Sequence, residues 1–343
     1  MAGNLNTWAI HLAMAAAAAA ISAALIVVLR PLLTRYALAQ PNARSSHREP
    51  TPQGGGIAVI AAMTVVIAGG LMVFPALFDD PRQLAGALAA MLGLAIVGVT
   101  DDLHPLEALP RLVLQAAAVA VVLAMLPADL RIVPALPWWL ERAGLLIGAV
   151  WFVNLVNFMD GIDWMTVAEV VPLSAALAAF GLMGALPPGA TVVAFALCGA
   201  VIGFAPFNRP VARLFLGDVG SLPIGLALAW LLILLAGRGH VVAALLLPLY
   251  YLADATLTLL RRLARGERIT QAHRSHFYQR AIDKGFGVSQ VVGRVFIANV
   301  ILCALAAATL TAQAAALQWA MLSIGIVLVA ALLLHFTVGH RAA

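Results

Sequence analysis

Aspartates recur beside apolar runs in a chain that has few charged residues. Charged residues make up 10% of the 343 residues. The pair Asp101-Asp102 follows one apolar run in GVTDDLHPLEALPR, Asp160 and Asp163 lie in WFVNLVNFMDGIDWM, and Asp218 lies in FNRPVARLFLGDVGSLPIG. A carboxylate at a membrane boundary loses solvation, so it either binds its proton more tightly or holds a cation. These segments are therefore candidates for acid–base or metal chemistry.

The pair Asp101-Asp102 has two interpretations. Adjacent carboxylates repel one another, which favours a hard cation such as Mg²⁺, whose ligands are oxygens and which usually keeps waters and substrate phosphates in its shell. Alternatively, both are solvated carboxylates that cap a loop. The pair alone does not decide between them.

Two amides and two carboxylates follow at three-residue steps in the next segment, at Asn154, Asn157, Asp160 and Asp163. On a helix this spacing keeps the four side chains on a slowly drifting stripe along one face. If Gly161 ends the helix, the two aspartates instead flank a turn. Either arrangement brings polar side chains together beside the bilayer.

Asp218 lies between Gly217 and Gly220 just before another apolar run. Gly-Asp is common turn chemistry, so this motif is weak evidence when taken alone. Its neighbour Phe215 is a candidate for stacking on a nucleotide base. The motif gains weight because it falls on the same predicted side of the membrane as the other aspartates.

Two further segments carry candidate anion-binding groups. In PNARSSHREPTPQGGGIAVI, three glycines precede an apolar run; they either let a phosphate approach a helix N-terminus or form a flexible loop with a helix-packing patch. The possible anion partners there are Arg44, Ser46, His47, Arg48 and Thr51, with Gly54 and Gly55 as the backbone donors. The second segment is LLRRLARGERITQAHRSHFYQRAIDKGF. It forms either a cluster that binds pyrophosphate or a basic loop that is attracted to anionic lipid headgroups. The side chains that would bind pyrophosphate are His273, Arg274, His276 and Arg280.

The elements that position these groups are membrane helices. Hydrophobic residues make up 63% of the chain, and its mean hydropathy is +1.00. Apolar runs of roughly 17 to 22 residues, long enough to span a bilayer, begin near Trp8, Gly55, Leu84, Leu112, Gly144, Val167, Ala190, Val219, Val241, Val288 and Ala315. An open strand cannot satisfy its backbone in lipid, so the runs predict helices. Asp254, inside the ninth run, is expected to pair with basic residues one or two turns further on.

The basic residues predict the orientation. All but four of the 20 Lys and Arg residues fall in alternate connectors, and the exceptions are Arg82, Arg131, Arg142 and Arg238. The positive-inside rule then places the N-terminus in the periplasm and the C-terminus in the cytoplasm. We expect one domain over residues 1–343, an all-α polytopic membrane protein with about 11 transmembrane helices and cytoplasmic loops near 30–54, 101–111, 154–166, 206–218 and 261–287. The basic residues lie in short clusters between apolar runs, so a nucleic-acid ligand is not expected.

In order along the chain, PTPQGGG, the Asp101-Asp102 pair, NFMDGID, FLGD with its GS, and the final histidine-containing loop resemble the polyprenyl-phosphate N-acetylhexosamine-1-phosphate transferases of glycosyltransferase family 4. That family includes the translocase that makes lipid I and the enzymes that initiate O-antigen and teichoic-acid chains. Eleven spans and the HRSHFYQR loop resemble the O-antigen-initiating branch, whose members include enzymes that accept deoxyamino sugars.

The resemblance implies roles for individual residues. Asp218 would be the principal Mg²⁺ ligand, with Asp101 as a second candidate, and Mn²⁺ could substitute. Asp101 and Asp102 would lie beside the phosphates, with Asp102 or its neighbour orienting or deprotonating the lipid phosphate. A further set would bind or act on the nucleotide sugar, comprising Arg44, His47, Thr51, Gly54, Gly55, Asn154, Asn157, Asp160, Asp163, Phe215, His273, Arg274, His276 and Arg280.

Two departures from the family pattern are visible. Trp164 stands where the family commonly has glycine, and the last loop lacks a run of adjacent histidines, which argues against the muramyl-pentapeptide substrate. The expected reaction moves a sugar-1-phosphate from a UDP-N-acetyl-(deoxy)hexosamine to undecaprenyl phosphate, releases UMP at the cytoplasmic face of the bacterial inner membrane, and begins a lipid-linked surface glycan such as O-antigen. The alternatives are the lipid I-forming reaction and, from another class, a secondary transporter; a homodimer is left open.

Overall fold

The computed structural model describes residues 2–39, 50–267 and 273–338, and most of these residues are helical. Its helices are α1 Ala2–Tyr36, α2 Gly56–Val73, α3 Pro81–Leu103, α4 Ala108–Ala124, α5 Trp138–Met159, α6 Met165–Leu182, α7 Pro188–Phe204, α8 Asp218–Gly237, α9 Val241–Leu246, α10 Leu249–Ala264, α11 Phe277–Asp283, α12 Val288–Thr311 and α13 Ala315–Val338. A 3-10 turn, Pro75–Leu77, and two strands, β1 Leu38–Ala39 and β2 Thr51–Pro52, complete the elements of the described residues.

The predicted all-α membrane architecture is confirmed. Among the described residues, eight helices are long and apolar enough to cross a bilayer, and α4 and α7 are shorter apolar helices. The remaining run, expected from Val241, consists of α9 and α10 with a break at Leu247 and Pro248. Proline has no backbone N–H for a helical hydrogen bond, which accounts for a break at this position. Each of the eleven apolar runs thus corresponds to helix.

Helix α8 lies at the centre of the bundle. Within an apolar stretch of 18 residues, 94% of the stretch is buried in α8, compared with 22% in α1. It packs against α2, α3, α5 and α9. A helix that is apolar on every face is stable only where other helices surround it or lipid does. Because α8 is enclosed by protein, its first residue, Asp218, is held by several neighbours at once.

Glycines allow helices to approach closely at the edge of the bundle as well. A Cβ on Gly199 of α7 would lie 2.0 Å from the carbonyl oxygen of Ala15 in α1, and one on Gly203 would lie 2.2 Å from that of Ala19. Small residues four apart on one helix are a common basis for helix association in lipid. The alanine-rich α1 therefore packs backbone to backbone on α7.

A short antiparallel pairing was not expected from the sequence. Leu38 of β1 pairs with Pro52 of β2, and Ala39 pairs with Thr51. Beyond β2, Gln53 forms a parallel bridge with Phe215. The pairing ties the end of α1 to the segment before α2, and through Phe215 to the segment before α8.

Candidate active site

The connectors that carry the predicted site residues meet at one end of the bundle. Each junction is a hydrogen bond between two different connectors or helix ends. The pairs are Gly55 N–H to Phe215 O at 2.9 Å, Ala212 N–H to Asp163 Oδ2 at 3.0 Å, and Tyr278 O–H to Phe158 O at 3.2 Å. Residues that the sequence separates by more than 200 positions therefore form one polar region.

Asp102 at the end of α3 caps the start of α8. Its carboxylate accepts the backbone N–H groups of Asp218 at 2.9 Å and Val219 at 3.1 Å, and the amide of Gln53 donates to it as well. The first N–H groups of a helix lack intrahelical partners, and the helix dipole favours a negative charge there. Asp102 thus has a clear structural role. Its expected action on a lipid phosphate stays a prediction.

Glycines make this junction possible. Gly217 has φ +79°, and a Cβ on it would lie 2.5 Å from Asp102 Oδ2. A Cβ on Gly98 of α3 would lie 2.4 Å from the backbone carbonyl of Asp218, and one on Gly56 would lie 2.2 Å from the Cα of Gly220. The starts of α2 and α8 and the end of α3 therefore touch without intervening side chains.

Asp101, Arg111 and Asp218 form a charged cluster beside this junction. Arg111 Nη1 lies 2.9 Å from Asp101 Oδ2 and 3.7 Å from Asp218 Oδ2. The carboxyl groups of Asp101 and Asp218 are also within hydrogen-bonding range of each other. Asp101 Oδ1 accepts the backbone N–H of Leu106 at 2.6 Å. The cluster brings two carboxyl groups close together and already contains a cationic side chain.

The donor set of this cluster fits Mg²⁺. Within the described ranges, no group of three or more His, Cys, Asp or Glu side chains is arranged to hold a metal. Mg²⁺ does not need such a group, because it is often held by one or two carboxylates and completes its octahedron with waters and substrate phosphates. Asp101 and Asp218 are the residues that would hold it. The ion would neutralise charge on a diphosphate.

Asn157 joins the cluster, whereas Asn154 lies deeper. The Asn157 amide donates to Ser221 Oγ at 2.9 Å and also contacts the Asp218 carboxyl. Asn154 is 7% exposed, and its amide donates to Gln115 Oε1 on α4 at 2.5 Å. The predicted stripe on α5 is therefore present, but of its two asparagines only Asn157 reaches Asp218. A substrate contact for Asn154 stays a prediction.

Asp160 ends α5 and accepts a hydrogen bond from the hydroxyl of Thr166. Desolvation by burial, partly offset by the hydrogen bond from Thr166 and assisted by the negative charges of Asp102 and Asp163, raises the pKa of Asp160 to about 6. A carboxyl group with this pKa changes charge near neutral pH. Asp160 is therefore suited to exchange a proton.

The turn after Asp160 is fixed by Asp163 and Trp164. Asp163 accepts the backbone N–H of Ala212. Trp164 adopts a left-handed conformation with φ +61°, its N–H donates to Asn208 Oδ1 at 2.8 Å, and its indole Nε1 donates to Ala205 O at 2.6 Å. The left-handed region favours glycine, the residue that the family pattern has here. Trp164 thus adopts a backbone conformation that glycine favours, and its two hydrogen bonds attach this turn to the connector between α7 and α8.

The triple glycine packs against the segment before α8. Gly54 has φ +106°, and the N–H groups of Gly55 and Gly56 donate to the carbonyls of Phe215 and Leu216 at 2.9 and 2.8 Å. These two donors are used within the protein, which favours the packing interpretation over a phosphate cradle. The Phe215 ring is half-buried and Thr51 is buried. Ligand contacts by Gly54, Gly55, Thr51 and Phe215 stay predictions.

The final loop is held against the Asp160 turn by Tyr278. A Cβ on Gly161 would lie 2.0 Å from the Tyr278 hydroxyl oxygen. His273 and His276 adjoin, with ring centroids 5.0 Å apart, and His276 stacks on Tyr278 at 5.7 Å. His276 thus lies beside Tyr278, which contacts the Asp160 turn, and His273 adjoins His276.

The two arginines of that loop differ. Arg274 forms a 3.2 Å ion pair with Asp283, so part of its charge is already neutralised. Arg280 is half-buried in α11, and the binding of a substrate phosphate by Arg280 stays a prediction. Arg44 and His47 lie outside the described residues.

Sequence reasoning missed several residues of this region. Arg111 was counted only as an orientation charge, although it follows Asp101 by ten positions. Gln53 lies within PTPQGGG and Thr166 lies three residues after NFMDGID, and neither side chain was singled out, yet each donates to a site aspartate. Asp254 was expected to pair with nearby arginines, but its side chain contacts His276. Only a three-dimensional arrangement identifies these partners.

The fold and the site together define a polytopic membrane protein with a charged, phosphate-compatible site at one end of its bundle. The sequence model of the family described as glycosyl transferase family 4 matches residues 84–236. The chain is 32% identical over 299 residues to a phospho-N-acetylmuramoyl-pentapeptide-transferase of Synechococcus sp. (strain JA-3-3Ab), covering 79% of this chain and 84% of that protein.

Two other relatives carry different names. A probable undecaprenyl-phosphate N-acetylglucosaminyl 1-phosphate transferase of Bacillus subtilis (strain 168) is 24% identical, with 77% of this chain and 75% of that protein covered. A decaprenyl-phosphate N-acetylglucosaminephosphotransferase of Mycobacterium tuberculosis (strain ATCC 25618 / H37Rv) is 27% identical, with 78% and 75% covered. The chain belongs to glycosyl transferase family 4, the polyprenyl-phosphate N-acetylhexosamine-1-phosphate transferases.

Proposed function

We propose that this protein transfers a sugar-1-phosphate from a UDP-N-acetyl-(deoxy)hexosamine to undecaprenyl phosphate and releases UMP. The observation that carries the proposal is the cluster of Asp101, Arg111 and Asp218 beside Asn157, at the end of a membrane bundle that belongs to this family. Such a site suits two phosphorylated substrates, of which one is dissolved in water and the other in the bilayer.

In this reaction an oxygen of the lipid phosphate forms a bond to the β-phosphorus of the donor, and the bond between that phosphorus and the UMP oxygen breaks. When the acceptor enters as a monoanion, one proton must leave it. Asp160 is suited to take that proton, because its pKa of about 6 lies near that of a phosphate monoester. His276 and Arg274 are proposed to bind the donor diphosphate through charge-assisted hydrogen bonds.

Mg²⁺, with Mn²⁺ as a substitute, is proposed as the cofactor held by Asp218 and Asp101. When bound it would stabilise the charge that develops on the diphosphate. The chain's own contribution is to keep the two carboxylates together: Asp102 fixes the backbone of Asp218, and Leu106 fixes Asp101.

We also propose that this end of the bundle faces the cytoplasm of a bacterial inner membrane, with the N-terminus in the periplasm and the C-terminus in the cytoplasm. The distribution of the 20 basic residues supports this orientation. It would give the site access to a cytoplasmic nucleotide sugar. Initiation of O-antigen or a similar lipid-linked surface glycan is the role that follows from that location.

The lipid I-forming reaction is the second candidate. It is favoured by the 32% identity to the Synechococcus phospho-N-acetylmuramoyl-pentapeptide-transferase. The last loop favours a simple sugar, because histidines stand at 273 and 276 without adjacent histidines. The two candidates differ only in the donor, so the donor decides between them.

A panel of UDP-sugars, including UDP-N-acetylglucosamine, UDP-N-acetyl deoxyamino sugars and UDP-MurNAc-pentapeptide, tests the proposal. Purified protein is incubated with each donor, undecaprenyl phosphate and MgCl₂, and the lipid product is identified by mass spectrometry. We expect a lipid-linked hexosamine and an equal amount of UMP, both abolished by EDTA and restored by Mg²⁺. A product only from the pentapeptide donor would establish the second candidate. Uptake of labelled solute into vesicles without any lipid product would instead indicate a transporter.

A further inference from the structure

Asp254 is the most completely engaged carboxylate of the described residues outside the cluster. It lies in α10 with 0% exposure. Its oxygens contact the start of α11 and its own helix α10. The partners are His276 Nδ1 at 3.1 Å, the N–H groups of Phe277 at 3.0 Å and Tyr278 at 3.2 Å, and the hydroxyls of Tyr250 at 3.2 Å and Thr258 at 3.3 Å. A carboxylate inside a membrane bundle is costly unless it is fully hydrogen-bonded, and it is retained where it serves a function.

The contacts determine which nitrogen of His276 carries a proton. An ionised carboxylate only accepts hydrogen bonds, so the Nδ1 atom facing Asp254 must be the donor. In a neutral imidazole this leaves Nε2 as the acceptor. Carboxylate–histidine pairs fix the ring orientation and tautomer in the same way at many enzyme sites.

Asp254 also fixes the position of the ring relative to the aspartates. The same carboxylate holds the N–H groups of Phe277 and Tyr278, which follow His276 directly. Tyr278 in turn donates to Phe158 O, two residues before Asp160, and fills the space above Gly161. One buried carboxylate therefore sets both the tautomer of His276 and its distance from the Asp160 turn.

We infer that Asp254 is a positioning residue, which acts through His276 by holding that histidine with Nδ1 protonated and Nε2 as the hydrogen-bond acceptor. The catalytic consequence rests on the proposed function. The tautomer of His276 does not depend on it.

The first test uses Asp254→Asn. The substituted amide has nearly the same shape, but its nitrogen would face either His276 Nδ1 or the N–H of Tyr278, so the single tautomer is lost. We expect kcat to fall roughly tenfold to hundredfold, as when other carboxylate–histidine pairs are broken, with a smaller change in the KM for the donor. His276→Gln should cause a similar loss, and the double variant should lose no more than the single ones.

Glu141→Gln is the matched control. Glu141 is also a buried carboxylate that accepts two successive backbone N–H groups, those of Ile132 at 2.5 Å and Val133 at 2.9 Å, and it pairs with Arg131. It lies in α5 at the end remote from Asp160. We expect its kcat per folded protein to stay within twofold of the unsubstituted protein, with twofold taken as the scatter of roughly 0.4 kcal/mol. Equal losses in Asp254→Asn and Glu141→Gln, or additive losses in the double variant, would overturn the inference.

The second test needs neither substrate nor a folded Asp254 variant. Protein labelled with ¹⁵N at histidine is compared with His276→Gln, so that the signals of His276 are assigned by difference. We expect the spectrum of a ring with a proton on Nδ1, and a ring protonated only on Nε2 would overturn the inference. If the unsubstituted protein transfers no sugar phosphate to undecaprenyl phosphate from any donor, the proposed function fails, whereas this spectrum still decides the placement of His276.

Discussion

The carboxylate of Asp102 accepts the backbone N–H of Asp218 at 2.9 Å, although 116 positions separate the two residues. The end of α3 therefore fixes the start of α8, and the side chain of Asp218 is free to face Arg111 and Asp101. Neighbouring carboxylates of one site thus have different tasks. Asp102 supports the backbone, and Asp218 presents its carboxyl group to Arg111 and Asp101.

This division predicts opposite effects for two similar substitutions. Asp102→Asn places an amide nitrogen against a backbone N–H and should lower the stability of the folded protein by about 1–3 kcal/mol. Asp218→Asn removes charge without removing the cap, so it should abolish Mg²⁺-dependent UMP release while thermal unfolding changes little. Unfolding in detergent and UMP release are measured on the same preparations. Full UMP release by Asp218→Asn would exclude Asp218 as the metal ligand.

Arg111 is predicted to compete with a metal ion for the two carboxylates. It lies 2.9 Å from Asp101 and 3.7 Å from Asp218, so a divalent cation between them meets its positive charge. Arg111→Gln should therefore lower the Mg²⁺ concentration that half-saturates thermal stabilisation severalfold. Arg82→Gln, in the first turn of α3, is the control and should leave that concentration unchanged. A higher Mg²⁺ requirement in Arg111→Gln would show that Arg111 supports the metal rather than competing with it.

Asp160 is predicted to impose a pH dependence on both activity and stability. Burial raises its pKa from the ordinary 3.8 to about 6, so the folded protein binds this proton more tightly than the unfolded chain. The resulting stability is complete below pH 3.8 and is lost as the pH rises through about 6. Asp160→Asn should therefore unfold at a higher temperature than the unsubstituted protein at pH 7.5 and at a similar one at pH 4.

The dependence of activity on pH should be opposite to that of stability, because only the ionised carboxylate of Asp160 can accept a proton. Turnover should rise as the pH increases through about 6, and Asp160→Asn should lose this limb together with most of its turnover. Rates across pH 5 to about 8, a range around the Asp160 pKa, measure the effect. A limb that persists unchanged in Asp160→Asn would assign the titration to another group.

Trp164 allows the backbone and the side chain to be tested separately. Its φ of +61° favours glycine, whereas its indole bonds to Ala205 O. Trp164→Gly and Trp164→Ala both remove the indole, but only alanine keeps the strain of a left-handed residue, which costs about 1–2 kcal/mol. We expect Trp164→Gly to be the more stable of the two by that amount in detergent unfolding. Equal stabilities would mean that the turn relaxes when the indole is removed.

The contact between α2 and α8 predicts that Gly56 tolerates no side chain. A Cβ on Gly56 would lie 2.2 Å from the Cα of Gly220, whereas one on Gly69 in the same helix would meet nothing within 4 Å. Gly56→Ala should lose most folded protein in size-exclusion chromatography. Gly69→Ala should be neutral or slightly stabilising, because alanine exceeds glycine in helix propensity by about 1 kcal/mol. A folded Gly56→Ala with normal activity would contradict this packing.

The sequence predicted the helices well because a span needs a long apolar run, which can be recognised locally. Runs expected from Val241, Val288 and Ala315 begin at those residues, and Val219 was displaced by one position from the observed start. The segments that carry the candidate site residues could be singled out because polar residues are rare in so apolar a chain. Their meeting at one end is confirmed by the hydrogen bonds between Asp102 and Asp218 and between Asp163 and Ala212.

The partners of individual side chains could not be predicted in the same way. Periodicity tells which face of a helix a residue occupies, but not which helix lies opposite. Asp254 was expected to pair with basic residues further along its own helix. Its carboxylate instead accepts from Tyr250 and Thr258 of that helix and reaches His276, 22 residues away. Arg111 was assigned to membrane orientation, because nothing in the local sequence shows that the start of α4 lies beside Asp218 at the start of α8. Such pairings depend on the packing of the whole bundle.

The backbone contact between Gly56 and Gly220 has a pharmacological consequence. With no side chain between α2 and α8 at that point, no side chain can rearrange to accommodate an inserted molecule. A lipophilic compound that wedged the two helix starts apart would displace the backbone at Gly220, two residues after Asp218. It would block the protein from within the bilayer, without resembling a nucleotide sugar or a polyprenyl phosphate.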